Sequence, residues 1–259
     1  MDVMTDDGVR LHVVPGRSRG TPLVLSNSLG TDVSLWDGQV TGLDAGRVPW
    51  RYDTRGHGQS GVPPAETTIE QLGRDLVAVI DSAGEGPADV CGVSIGGLTA
   101  LWVAIHEPTK VRRVVLANTA ARIGNAGMWA DRVRGARELG MAALAGPTME
   151  RWFTPGFRTQ RPDIIRAFTA VFETTSVDGY AACCTALRDA DLRPTASSVR
   201  CPVLVVTGAH DPATPPADGD WLAAQIPGAT RVELDAAHLS NVERRDEFNA
   251  AAGAFLSGE

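Results

Sequence analysis

The chain has 259 residues, 43% of them hydrophobic, and a formal net charge of −7. That length and apolar share suit one large domain with a sizeable core and room for an insertion. The acidic balance argues against a nucleic-acid partner, which calls for a basic surface, and no apolar run approaches the roughly 20 residues that cross a bilayer.

The opening residues Met1–Asp7 are acidic and lack the basic-then-apolar layout of a signal peptide. The four cysteines, two of them adjacent at 183 and 184, form no metal-binding pattern. The expectation is therefore a reduced, cytoplasmic compartment, no metal site and no membrane contact.

Val9–Val14 alternates apolar and polar residues, which predicts a strand. Pro22–Ser26 is almost wholly apolar, as a buried parallel strand would be, and runs into the turn-rich loop Asn27–Thr31. Val33–Val40 reads as a short helix carrying Trp36. Arg47–Tyr52 reads as a less regular strand, because Pro49 cannot donate to a ladder. After the loop Asp53–Gly61, Thr68 caps a helix to about Ala83, with Ile69, Leu72, Leu76, Val79 and Ile80 on one face. A strand over Asp89–Val93 passes directly into a helix ending near His106, and Val111–Asn118 is the next strand.

From Ala121 to Arg188 the texture is helical and irregular, with no clear strand, which marks an insertion. Arg193–Cys201 is a linker, Pro202–Thr207 a strong buried strand, Ala217–Gln225 a helix and Thr230–Leu234 a strand. A helix from about Asn241 to Leu256 closes the chain. The expected division is a core of residues 1–120 and 189–259 with a helical cap over 121–188. Strands alternating with helices predict an α/β domain whose mainly parallel sheet is covered on both faces. Ligands in such sheets bind beyond the carboxyl ends of the strands.

Several candidate residues fall at those ends. Gly92-Val93-Ser94-Ile95-Gly96 has the form of a nucleophile elbow, a tight strand-to-helix turn that raises a serine hydroxyl above the sheet. A serine needs a base to take its proton, and the base needs a carboxylate to fix its tautomer. His238, in the loop after the last strand, is the candidate base, and Asp211, just past a buried strand, the candidate acid. Asp235 is a weaker rival, and His12, His57, His106 and His210 are read as structural. The acyl oxygen that turns negative requires two backbone N–H groups. Ile95, next to the nucleophile, supplies one, and Leu29, in the loop after the Pro22–Ser26 strand, the other.

With these residues in view, the chain resembles the 3-oxoadipate enol-lactonases of the α/β-hydrolase fold. The resemblance rests on Ser26–Thr31 with Leu35-Trp36-Asp37, on Asp53–Gly58, and on Cys91–Gly97. In the insertion it rests on Met128–Arg132, Glu150–Pro155, Tyr180–Cys184 and Asp191-Leu192-Arg193, and near the end on Ala237–Glu243. It implies a mostly parallel eight-stranded sheet with a helical cap. It also implies opening of an enol-lactone ring in protocatechuate and catechol catabolism, with Ser94 as nucleophile, and neither a metal nor an organic cofactor.

Such a substrate is a small anion. The segment 121–188 holds nine arginines against six carboxylates, a net +3 on a chain of −7, which suits an anionic ligand. Arg132 is the candidate carboxylate partner, since a guanidinium grips with two hydrogen bonds. Trp129, three residues earlier, would face the same way on a helix and wall the pocket. Rival readings are a related carboxylesterase or lactonase, a cofactor-free haloperoxidase, and a ligand-binding member with a silent triad. Oligomeric state is not legible in the sequence.

Overall fold

A computed structural model describes residues 1–16, 20–43 and 46–258. The elements alternate as the sequence predicts. β1 (Asp2–Met4), β2 (Arg10–Val14) and β3 (Thr21–Ser26) come first. A 3₁₀ turn, α1 (Asp37–Val40), β4 (Arg47–Tyr52) and α2 (Ile69–Ala83) follow. β5 (Ala88–Val93), α3 (Ile95–His106) and β6 (Val111–Ala117) form the centre. Between β6 and the next strand stand four helices: α4 (Ala126–Trp152, broken at Gly140), α5 (Pro155–Gln160), α6 (Pro162–Thr174) and α7 (Val177–Asp189). β7 (Val203–Gly208), α8 (Pro216–Gln225), β8 (Thr230–Leu234), α9 (Ser240–Glu243) and α10 (Arg245–Ser257) complete the chain.

The eight strands form one sheet in the order β1-β2-β4-β3-β5-β6-β7-β8. Only the β1/β2 and β2/β4 pairs are antiparallel. β5 and β7 are buried along their whole length, and α3 is buried from Ile95 to Ala104, so the strand-turn-helix unit around Ser94 lies at the heart of the core. α2 packs with α3 on one face, and α1 packs with α10 on the other. Thr68 caps α2 as expected, and the structure adds Gln71, which completes a capping box with it.

Two elements differ from their sequence reading. β1 was not expected: three residues are too few to show alternation, and it forms by pairing Asp2–Met4 with Arg10–His12. The closing helix is two helices, broken at Arg244, whose backbone leaves the helical region. Arg244 is turned by its side chain, which donates to the Asp235 carbonyl and pairs with the Asp235 carboxylate at 2.8 Å. Pro49 lies where β4 pairs with β3 alone, opposite Leu23, since β2 reaches only residues 51 and 52, so on its other side the missing N–H has no strand to bond.

The helices between β6 and β7 lie against the loops at the carboxyl ends of the strands. Gly56 and Gly179 touch backbone to backbone: a Cβ on Gly56 would stand 2.3 Å from Gly179 Cα. Leu239 N donates to Trp152 O at 3.0 Å. No helix among the described residues is long and apolar enough to cross a membrane.

Candidate active site

Ser94 stands at the end of β5 with φ 58° and ψ −121°, a region that L residues rarely enter. The tightness of the turn has a measurable cause. A Cβ on Gly92 would lie 2.2 Å from Gly96 O, and one on Gly96 would lie 2.2 Å from Ser26 O. Glycine at both positions lets α3 start directly against β3. The Ser94 carbonyl is held by Thr119 Oγ1 at 2.7 Å.

His238 and Asp211 are joined directly, His238 Nδ1 lying 2.8 Å from Asp211 Oδ2. Asp211 accepts four further hydrogen bonds. Ala213 N and Thr214 N donate to Oδ1 at 2.8 and 3.1 Å. Thr214 Oγ1 and Asn118 Nδ2 donate to Oδ2 at 2.7 and 3.0 Å. Burial opposes ionisation of Asp211, but the charge of His238 and the hydrogen bonds from His238 and Thr214 outweigh it and hold the carboxyl below its usual value. Ser94 and His238 are 6% and 4% exposed, so both side chains are largely withdrawn from the surface. No direct hydrogen bond joins Ser94 Oγ to His238.

Asn118, which the sequence shows only as the last residue of a strand, connects the two halves. It lies one residue past β6 with φ 44°, the one other non-glycine residue besides Ser94 at positive φ among those described. Besides Asp211, its Nδ2 reaches Ala237 O at 3.2 Å, and its Oδ1 accepts from Ser240 Oγ at 2.5 Å. The next residue, Thr119, is the one that holds Ser94. Thus the end of β6 ties the elbow to the acid and to the histidine loop.

The backbone N–H groups of Leu29 and Ile95 donate to no protein acceptor among the described residues, and both residues are buried. The contact of Gly96 with Ser26 and Asn27 brings the two segments side by side. Asn27 shapes the Leu29 loop, donating to Tyr52 O and accepting from Trp36 Nε1, each at 2.8 Å.

The other histidines and Asp235 stand apart. His12 pairs with Asp53 at 2.9 Å and His106 stacks on Trp102. His57 is buried with Nδ1 3.1 Å from Arg55 O. Asp235 is exposed and pairs with His210 and Arg244.

Arg132 lies over the Trp129 ring at 5.2 Å, as their spacing predicts, and Trp129 Nε1 donates to Ile123 O at 2.6 Å. Arg132 Nη1 also reaches Tyr180 Oη at 3.4 Å, and the Tyr180 ring lies beside Gly30, next to Leu29. Sequence reading missed a second guanidinium here. Arg151 is half-buried, donates to Thr148 Oγ1 at 2.8 Å, and adjoins Trp152, whose carbonyl meets the residue after His238. Burial, then the neighbouring charge of Arg132, push the Arg151 pKa down to about 10. Arg122, Arg134, Arg158, Arg161 and Arg188 all have carboxylate partners within 4.0 Å. Arg132 and Arg151 have none among the described residues, so two uncompensated positive charges sit together between the Leu29 loop and the His238 loop.

The family model for the alpha/beta hydrolase fold matches residues 21–244. The chain is 41% identical to 3-oxoadipate enol-lactonase 2 of Acinetobacter baylyi over 98% of its own length and 96% of the relative's. It is 36% identical to 3-oxoadipate enol-lactonase 1 of the same organism, over 91% and 88%. Among solved structures, the enol-lactonase from Burkholderia xenovorans LB400 superposes with a TM-score of 0.96 at 42% identity, covering 99% of this chain and 100% of that one.

Proposed function

The chain belongs to the alpha/beta hydrolase fold family, and from that premise we propose that it hydrolyses 3-oxoadipate enol-lactone, with Ser94 as nucleophile, His238 as base and Asp211 as acid. The observation that carries the reading is the hydrogen-bonded His238–Asp211 pair set beyond the same sheet edge as a serine on a strained elbow. The full-length likeness to two enol-lactonases supports the choice of substrate.

Asp211 fixes His238 with its Nδ1 proton toward the carboxylate, leaving Nε2 free to take the Ser94 proton. Ser94 Oγ attacks the ring carbonyl. The oxygen that becomes negative is met by the N–H groups of Leu29 and Ile95, already unpartnered and pointing from two fixed segments. Collapse breaks the ring C–O bond, and the departing enol oxygen takes a proton from His238. The leaving group stays attached through the carbon chain, so it remains poised to close the ring again. Ketonisation removes that nucleophile and makes ring opening irreversible. A water deprotonated by His238 then frees the product from Ser94.

Helices α4–α7 act as the cap in this reading. Arg132 and Arg151 bind the carboxylate that the lactone carries, and Trp129 holds Arg132 in place. A carboxylate there neutralises two charges that otherwise repel one another. A cytoplasmic location accords with the free cysteines.

The test is loss of lactone ultraviolet absorbance with wild type and Ser94→Ala side by side. The expected result is rapid loss with wild type and a residual rate lower by about 10⁶ in the variant, with folding unchanged. Labelling of Ser94 by a phosphonate without consumption of the lactone would keep the hydrolase and discard this substrate.

A further inference from the structure

We propose that Glu243 is a positioning residue that fastens the cap to the loop carrying His238, so that placing the cap and placing the base are one structural event. This rests on the hydrolase reading above. Glu243 lies five residues past His238, in α9. Its Oε2 accepts from Ala237 N at 3.0 Å and from Thr154 N at 3.2 Å, and its Oε1 accepts from Thr154 Oγ1. On the other side of the histidine, Leu239 N donates to Trp152 O at 3.0 Å. Both chain neighbours of His238 are therefore bound to the three-residue corner Trp152–Thr154 between α4 and α5. One is bound through the backbone, the other through the Glu243 carboxylate.

Glu243 is not engaged in an ion pair that would account for it. No Lys, Arg or His nitrogen lies within 4.0 Å among the described residues, and the adjacent Arg244 is turned to Asp235 and Glu247. Its acceptors go to two backbone N–H groups and one hydroxyl, bonds that a charged acceptor strengthens. Two surface clefts flank it. One, of about 500 Å³, runs between α6 and α1 past Phe168 and Gln39, and the other, of about 640 Å³, runs past Thr154 and His210. Glu243 is in the wall of both, and its carboxylate bridges Thr154 and Ala237 where the two clefts approach one another. Thr154 is the N-cap of α5, accepting from Phe157 N at 3.3 Å, so the bridge is seated on a defined helix end.

The consequence is specific to the base. His238 is held at its ring by Asp211 and at the preceding carbonyl by Asn118. Removing the Glu243 bond frees the Ala237 N–H and lets the loop turn about those points, displacing Nε2 from Ser94. Displacements of this kind cost about ten- to a hundred-fold in rate.

The experiment compares Glu243→Gln, Thr154→Val and the double variant on the enol-lactone and on p-nitrophenyl acetate. Rates are expressed per site titrated with a phosphonate, so that misfolded protein is not counted. The expected result is a fall in kcat of about ten-fold or more for each single variant on both substrates, KM within two-fold, and no further fall in the double variant. Thr154→Ser should restore the rate. Thr154→Val is the decisive variant, since among the described residues no hydrogen bond joins Thr154 to the histidine loop except through Glu243. Unchanged kcat per titrated site in either variant, or losses that multiply in the double, would overturn the proposal. Wild type that cleaves the ester but not the lactone would overturn only the substrate reading, leaving the Glu243 comparison legible on the ester. Wild type that is neither labelled nor active would remove both.

Discussion

Asp211 spends both carboxylate oxygens on holding one imidazole in place. Five hydrogen bonds converge on it, and the preference for the ionised form follows from them. Asp211→Asn keeps the shape but puts an N–H where an acceptor is needed, reversing the His238 tautomer. The expected loss in kcat is about 10⁴ with little change in melting temperature, checked by steady-state kinetics and calorimetry together. Arg151 makes a different prediction. It has no carboxylate partner among the described residues, so Arg151→Ala removes a charge that the folded protein does not itself use. KM for the anionic lactone should rise about ten-fold or more, while kinetics on a neutral ester stay within two-fold. An equal effect on both substrates would reduce Arg151 to packing. Ser94, Asp211 and His238 are legible in the sequence because the elbow and the chain order carry their own pattern. Asn118, Thr214 and Arg151 are not, because each acquires its role only where separate loops converge.

At the scale of the element, the elbow is a three-way contact of β3, β5 and α3. Gly96→Ala would place a methyl 2.2 Å from Ser26 O and 2.7 Å from Asn27 O, both backbone atoms that cannot swing aside. The helix start must retreat, carrying Ile95 N away from Leu29 N. The expected cost is about 1–3 kcal/mol in stability, read from a urea midpoint, together with a fall in kcat on the lactone measured by steady-state kinetics. Elements set by local pattern are the ones the sequence displays, such as α2 with its Thr68 cap and the apolar runs of β5 and β7. The break between α9 and α10 was not legible, because Arg244 is turned by a carbonyl nine residues away and not by a glycine or proline. β1 exists only through its partner strand.

Across the whole molecule, acid stability should follow the carboxylates that folding makes stronger acids. Hydrogen bonds from Arg55 draw Asp7 down to about 2, and Asp211 is lowered as described. Both have unfolded values near 3.9. Their contribution to stability is therefore complete above about pH 4 and is lost as the pH falls through the lowered folded value of each, for Asp7 toward 2. Melting temperature should decline through that window, and Asp7→Asn should lower it at neutral pH while flattening the decline. An unchanged slope in the variant would show that Asp7, whose side chain is 31% exposed, is screened by solvent.

The meeting of Gly56 and Gly179 bears on how such a molecule can change its substrate. Two bare backbones touch there, one from the loop after β4 and one from α7, and neither has a side chain left to trim. A residue enlarged on one side has no partner that can shrink on the other, so the contact offers no compensating pair of mutations. Substitutions that reshape the surroundings are accommodated more easily around this point, on α4 and along the rest of α7, than at the two glycines themselves. The helices α4–α7 can in that sense change their lining while keeping their seating, so that a new specificity need not re-invent how the two parts of the chain meet.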